Sequence, residues 1–208
     1  HPPAVNRSCI ATLASARDCA EDRAMAKREN PVVVPILDTA RLRLRGHRAD
    51  DLDACCALWS DPDVVRYIGG QVSPRDVVWM RLVQYVGHWA LNGYGYWLVE
   101  ERATGRMIGE VGVADFKRPV DPPIDGVPEA GWVIAPSAQG RGYATEALTA
   151  VLGWAEQHLG DPEIACLIDP ANAASFRVAA KVDFREVART SWRGHDSVIL
   201  RRPPRGGA

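Results

Sequence analysis

A glycine-containing segment between an apolar stretch and an amphipathic pattern is the feature that most constrains the fold. The segment runs from Pro136 to Glu146, and Gly140 and Gly142 stand just before the helical pattern. Glycine lets the backbone turn without clashes from a Cβ atom, so successive N–H groups can point into one concavity at the positive end of the following helix. The sequence therefore predicts a strand, a loop and a helix, with the loop binding an anionic cofactor.

The helix after this loop is predicted by its apolar spacing. Seven apolar residues recur three and four positions apart: Ala144, Ala147, Leu148, Val151, Leu152, Ala155 and Leu159. Polar residues take the other face, and Gly160 with Pro162 ends the pattern. A helix of this kind packs one face on a sheet.

The remaining elements alternate between strands and helices. Apolar residues two apart at Leu42 and Leu44 predict a first strand. Helices are predicted to begin at Asp50 and at Ser73, where Ser73 is the expected N-cap, and to run from Asn172 to Lys181. Further strands are predicted at 96–100, 107–116, 130–135, 164–168, 184–190 and 197–201. The pattern predicts a mixed α/β (α+β) fold in which about seven strands, mostly antiparallel, form a twisted sheet with about four helices.

Composition is typical of one enzyme-sized domain. The 208 residues are 47% hydrophobic and 25% charged, and a net charge of -1 gives no reason to expect nucleic acid or a membrane surface as the partner. The five cysteines lack metal-ligand spacing, and the histidines are scattered, so we expect no metal and reduced thiols in the cytoplasm. Domain limits are predicted as an extension at 1–34, partly helical or loose, a domain at 35–201 and a loose tail at 202–208.

Two nucleotide-binding motifs compete for the glycine loop. A phosphate-binding loop of nucleotide triphosphatases would need a lysine at its end, and none occurs here. A dinucleotide-binding fold would explain Gly140, Gly142 and Asp169, but Thr145 replaces the third glycine and too little chain follows to repeat the unit. A glycine turn that merely starts a helix remains an alternative.

The loop and its flanks resemble one family. Gln139-x-x-Gly142-x-Ala144 resembles the pyrophosphate loop of the GNAT superfamily of N-acetyltransferases. The resemblance extends to the strand at 129–136 and to the segments 169–175 and 181–184, and it covers about residues 36–201. Segments 37–45 and 61–68 are similar to the subgroup that acetylates the N-terminal alanine or serine of ribosomal proteins.

The resemblance implies an activity and a donor. It implies a single GNAT-like domain with splayed central strands, acetyl-CoA as the acetyl donor, and direct attack by a primary amine in a ternary complex. The acceptor is left open between a protein N-terminus and a small-molecule amine, and similar proteins are often dimers. A non-catalytic acyl-CoA-binding sensor domain is the alternative from another functional class.

The same resemblance assigns donor-binding residues. The loop amides would bind the pyrophosphate, the strand before them would pair with the pantetheine, and an N–H near Val133 or Ile134 would polarise the thioester carbonyl. The residues carried over are Trp132, Val133, Ile134, Ala135, Gln139, Gly140, Arg141, Gly142, Tyr143, Ala144, Thr145, Asn172 and Ser175. Asn172 would also cap its helix.

A general base is needed because the acceptor amine arrives protonated. The neutral form at pH 7 costs about 1.4 kcal/mol for an α-amine and about 4.6 kcal/mol for a lysine. Glu129 matches the family position that takes this proton through water, and an exposed carboxylate without a role is the competing interpretation. Glu110 is the alternative base, and Tyr67 is a candidate contact for the acceptor.

The departing thiolate has a weaker candidate. Many relatives carry a tyrosine acid where this chain has Ala179, so we expect Ser175 to hydrogen-bond the sulfur instead. Asp183 stands where the family usually has glycine. The pattern places Cys55, Cys56 and Cys166 inside predicted elements, which gives no support for an acetyl-cysteine intermediate.

Overall fold

In the computed structural model, which describes residues 32–206, an open sheet of eight strands is flanked by five helices. The strands are β1 (Leu37–Asp38), β2 (Leu42–Arg45), β3 (Tyr96–Glu101), β4 (Arg106–Ala114), β5 (Glu129–Ile134), β6 (Ile164–Ile168), β7 (Arg185–Trp192) and β8 (His195–Arg202). The helices are α1 (Leu52–Trp59), α2 (Pro62–Val65), α3 (Arg75–Asn92), α4 (Tyr143–His158) and α5 (Ala173–Lys181). The predicted mixed α/β class is confirmed, and the elements beyond the predicted counts are the two-residue β1 and the single-turn α2.

The sheet is split where its one parallel neighbour pair lies. The strand order is β1-β2-β3-β4-β5-β6-β8-β7, and among the described strands only β5 and β6 are parallel neighbours. β4 and β5 pair along their length, from Gly109 with Ile134 to Ala114 with Glu129. β5 and β6 are in register only where Glu129 faces Ala165. Beyond that point the two strands diverge toward their carboxyl ends and leave a gap, so the splay implied by the resemblance is present.

The core is built on both faces of the sheet. On one face α4 packs against an aromatic cluster in which Trp97 contacts Trp89 and Trp154 with ring centroids 4.7 and 5.2 Å apart. On the other face Leu98 packs against α1, α2 and α3. Because both faces are covered, alternation along the central strands does not mark exposure.

Two details differ from the sequence prediction. Pro74, not Ser73, occupies the N-cap of α3, and no side chain caps that helix. Arg202, predicted as the first residue of a loose tail, is the last residue of β8 and is buried beside Glu156. Arg202 pairs with Ile164 of β6, so the strand continues one residue beyond the predicted end. The predicted extension at 1–34 lies almost wholly outside the described residues.

None of the described helices is long and apolar enough to cross a membrane.

Candidate active site

The predicted anion loop forms the start of α4. Gly140 and Gly142 have φ of 74° and 80°, and Gly142 is the N-cap residue of the helix. Residues with a Cβ adopt these left-handed conformations only at a cost in free energy, which explains why glycine occupies both positions. The Gln139 side chain donates to the carbonyl of Ile134 over 2.9 Å and so ties the loop to the end of β5. The free N–H groups of the first turn of α4 then lie beside the gap.

The turn between β1 and β2 braces this loop. Arg41 Nη1 donates to the carbonyl oxygen of Arg141 over 2.9 Å. The backbone N–H and Nε of Arg41 also donate to Glu146, which accepts a further hydrogen bond from the Thr39 hydroxyl. Four contacts therefore fix the loop and the first turn of α4 to the edge of the sheet.

Two predicted loop residues have side chains that are already engaged. The Tyr143 hydroxyl donates to Glu101 Oε1 over 2.6 Å, and Arg141 forms an ion pair with the same oxygen at 2.9 Å. Tyr143 is buried, so its backbone amide rather than its hydroxyl is available for an anion. Arg141 is half exposed and would have to leave Glu101 to reach a phosphate. Ala144 and Thr145 are half-buried in the same first turn.

The gap brings the predicted donor-binding strand to the start of a second helix. Trp132, Val133 and Ala135 are half-buried and Ile134 is buried along the β5 edge. α5 follows β6, and its N-cap Asn172 accepts a hydrogen bond from the Ser175 N–H over 3.0 Å, as the sequence predicts. The positive ends of α4 and α5 thus follow the two strands that diverge, which suits an anionic ligand laid between them.

Glu129 is buried at the narrow end of the gap. It is only 6% exposed, and its Oε2 accepts a hydrogen bond from Arg118 Nε over 2.7 Å. Burial raises the pKa of Glu129, and the charge and hydrogen bond of Arg118 oppose part of that rise. The competing interpretation expected an exposed carboxylate, and on that point it is wrong. A buried carboxyl with a raised pKa suits general base catalysis.

Glu110 lies in a different environment. It is 1% exposed, accepts from Trp59 Nε1 over 3.0 Å and has His47 Nε2 at 3.4 Å. Burial alone would raise the pKa of Glu110, but the contacts with His47 and Trp59 and the charge of Arg81 outweigh it and lower the pKa. Glu110 of β4 is paired with Val133 of β5, and Val133 is four residues from Glu129. The backbone positions of the two glutamates are therefore about 13 Å apart along the strand direction.

The other predicted residues are less closely tied to the gap. Tyr67 is half-buried just after α2, and no described hydrogen bond joins it to Glu129. Cys55 and Cys166 are buried, and burial raises the pKa of both thiols above the ordinary value. A raised pKa disfavours the thiolate that an acetyl-cysteine intermediate would require.

Two residues at this site were missed in the sequence. Arg118 lies in a Pro-rich loop without periodicity, so nothing marked it as the partner of Glu129. Tyr96 lies in β3 with its hydroxyl next to Gly131 of β5. The available signal was glycine inside two predicted strands, at Gly112 and Gly131, because such glycines often mark a close approach.

Comparisons with known proteins point to one family. A model described as an acetyltransferase (GNAT) domain matches residues 41–185. An uncharacterized protein of Bacillus subtilis (strain 168), YkkB, is 35% identical over 71% of this chain and 82% of its own length. The fold is also that of RimL, a ribosomal L7/L12 α-N-protein acetyltransferase solved with coenzyme A, with 17% identity, TM-score 0.68 and coverage of 83% of this chain and 100% of that one. A spermidine N-acetyltransferase from Vibrio cholerae, solved with CoA and spermine, gives 19% identity, TM-score 0.60 and coverage of 78% and 94%.

Proposed function

Because the chain belongs to the GNAT family of acetyltransferases, we propose that it transfers the acetyl group of acetyl-CoA to a primary amine by direct attack in a ternary complex. The observation that carries the proposal is the gap between β5 and β6, which opens toward the glycine loop at the start of α4. Free thiols at the three described cysteines are in keeping with a cytoplasmic setting.

Donor binding falls to backbone groups. The amides from Gln139 to Thr145 bind the pyrophosphate at the positive end of α4. The edge of β5 from Trp132 to Ala135 has no strand partner on its β6 side among the described residues, so its N–H and C=O groups can pair with the pantetheine amides. Asn172 contributes from the start of α5, where its side chain already caps the helix.

The proton of the acceptor amine goes to Glu129. Its raised pKa makes it a better proton acceptor than an ordinary carboxylate, and the contact with Arg118 favours the ionised form that a base needs. An α-amine loses its proton for about 1.4 kcal/mol at pH 7, so this base suits an N-terminal or other low-pKa amine better than a lysine. The Ser175 hydroxyl, half-exposed at the start of α5, is the candidate donor to the departing sulfur.

The acceptor is a protein N-terminus or a small-molecule amine. Two structural relatives carry these two kinds of acceptor in their names, a ribosomal-protein acetyltransferase and a spermidine acetyltransferase, and both lie below 20% identity. The likeness supports the fold and leaves both classes open for this chain.

The test is a panel of acceptors with acetyl-CoA. Peptides with N-terminal alanine or serine, polyamines and aminoglycosides are incubated with the protein, and CoA release and acetylated product are both measured. We expect one acceptor class to give saturable, stoichiometric release of CoA. Tight calorimetric binding of acetyl-CoA with no transfer to any amine would favour the sensor domain instead.

A further inference from the structure

Tyr96 lies across two strands and ends at the strand that lines the gap. It is in register with Gly112 of β4, which is in register with Gly131 of β5. A Cβ atom on Gly112 would lie 2.7 Å from Tyr96 Cδ2, and one on Gly131 would lie 2.1 Å from the Tyr96 hydroxyl oxygen. The two glycines therefore leave a trough in which the phenol ring crosses β4 and brings its hydroxyl to β5.

The ring is held in place by other aromatic side chains. Tyr85 of α3 stacks on it with a centroid distance of 4.6 Å and an angle of 2°, and Phe116 contacts it edge-on at 5.9 Å. Tyr96 is 6% exposed and Tyr85 is 4% exposed. Within residues 32–206 the Tyr96 hydroxyl has no hydrogen-bond partner, and its oxygen is not among the fully buried unpaired atoms. The structure thus holds a rigid donor whose oxygen is free above Gly131.

The surroundings of Tyr96 decide what this hydroxyl can do. Burial, and then the nearby Glu129 carboxylate, raise the pKa of Tyr96 well above its ordinary value. The phenol therefore stays protonated at physiological pH. Complete transfer of its proton to a thiolate would be uphill, because a free thiol has a pKa of about 8.5. A neutral hydroxyl of this kind acts as a hydrogen-bond donor and not as a general acid.

We propose that the Tyr96 hydroxyl donates a hydrogen bond to the carbonyl oxygen of the bound thioester and stabilises the negative charge that forms there during attack. This role rests on the proposed acetyl transfer. The amine electron pair forms the C–N bond while the carbonyl pair moves onto oxygen, and the return of that pair breaks the C–S bond. The amine proton goes to Glu129, and Tyr96 keeps its own proton throughout. The backbone N–H near Val133 or Ile134 is the second donor.

The test compares two tyrosines of the same stack. Tyr96→Phe keeps the ring and removes the hydroxyl, so kcat should fall roughly 10²–10³-fold while the KM for acetyl-CoA stays within about twofold. Tyr85→Phe is the matched control, because it is equally buried in the same stack and its hydroxyl is not at Gly131. It should keep kcat within about threefold of wild type.

Three readouts separate this role from others. CoA affinity by calorimetry and the melting temperature should be unchanged in Tyr96→Phe, and the pH profile should keep its shape because the phenol does not titrate. A kcat within about threefold of wild type, or a parallel loss of CoA affinity and melting temperature, would overturn the assignment. A wild-type protein that binds CoA and acetylates no amine would instead refute the proposed function, and the role of Tyr96 with it.

Discussion

The half-buried Arg118 and the buried Glu129 form an ion pair in which Arg118 Nε lies 2.7 Å from Glu129 Oε2. The guanidinium also contacts two aromatic rings, with its carbon 4.7 Å from the centroid of Phe116 and 4.2 Å from that of Trp192. Trp192 ends β7, so the β7–β8 hairpin helps to hold the group that controls the ionisation of Glu129. The ion pair therefore connects these two aromatic contacts to the proposed base.

Glu129→Gln tests the base through the pH profile. Only the ionised carboxylate accepts a proton, so kcat/KM falls as the pH drops through the raised pKa of Glu129. Because Glu129 takes the proton that the amine brings, its ionisation sets this limb. The limb should therefore be lost from the kcat profile in Glu129→Gln, and kcat should fall about 10²-fold or more. An acid limb identical to that of wild type would exclude Glu129 as the base.

Arg118→Met should move that acid limb to higher pH. The Arg118 charge and hydrogen bond lower the pKa of Glu129 against the effect of burial, so their removal lets the pKa rise further. The base is then protonated over a wider pH range, and activity is lost first on the acid side. Arg193→Met is the matched control, because Arg193 stacks on the same Trp192 ring at 4.4 Å and is not the partner of Glu129. Equal shifts in both variants would contradict the assignment to Arg118.

Gly142→Ala should weaken donor binding. A left-handed residue with a Cβ costs about 1–2 kcal/mol, and relaxation of that strain turns the first N–H groups of α4 away from the phosphates. We expect the KM for acetyl-CoA to rise by about tenfold with a smaller change in kcat. Gly153→Ala is the control within the same helix: nothing lies within 4 Å of its added Cβ, and it should stabilise the protein by about 1 kcal/mol. An unchanged KM in Gly142→Ala would remove the loop from the donor site.

Ser175→Ala tests the proposed donor to the sulfur. A neutral hydrogen bond contributes about 1 kcal/mol, so we expect kcat to fall by about five- to tenfold, with the helix cap intact because that bond uses the Ser175 N–H. Asn172→Ala is the contrasting variant. It removes the side chain that accepts the hydrogen bond from the Ser175 N–H. The free energy of unfolding, measured in urea, should fall by about 1 kcal/mol. A Ser175→Ala variant with unchanged kcat would show that the thiolate leaves without this hydroxyl.

The sequence pattern predicted those parts of the site whose residues are close together in the chain. β5, the loop and α4 follow one another in the chain, so glycine positions, apolar spacing and the strand before them carried the prediction. The same holds for Asn172, whose cap joins residues three apart. These contacts need no knowledge of the tertiary fold.

The remainder depends on pairs that are distant in sequence. The Trp192 ring lies 74 residues from Arg118, and Tyr96 meets Gly131 across β4. Glu110 shows the limit of alternation: a charged residue inside a strand reads as outward-facing, yet α1 supplies Trp59 to cover it. When helices cover both faces of a strand, the sequence does not show which of its side chains are exposed to solvent.

Arg41→Ala should loosen the donor loop from a distance. Arg41 Nη1 holds the carbonyl of Arg141, and Nε holds Glu146 in the first turn of α4, so the loss of both contacts lets the loop amides move relative to the gap. We expect the KM for acetyl-CoA to rise by about three- to tenfold, since each contact is worth about 1 kcal/mol. Arg43→Ala is the control two residues further along the chain, on β2, because Arg43 pairs with the exposed Asp38. Steady-state kinetics at varied acetyl-CoA measures both, and a KM equally raised in Arg43→Ala would show that the effect comes from the strand edge and not from the brace on the loop.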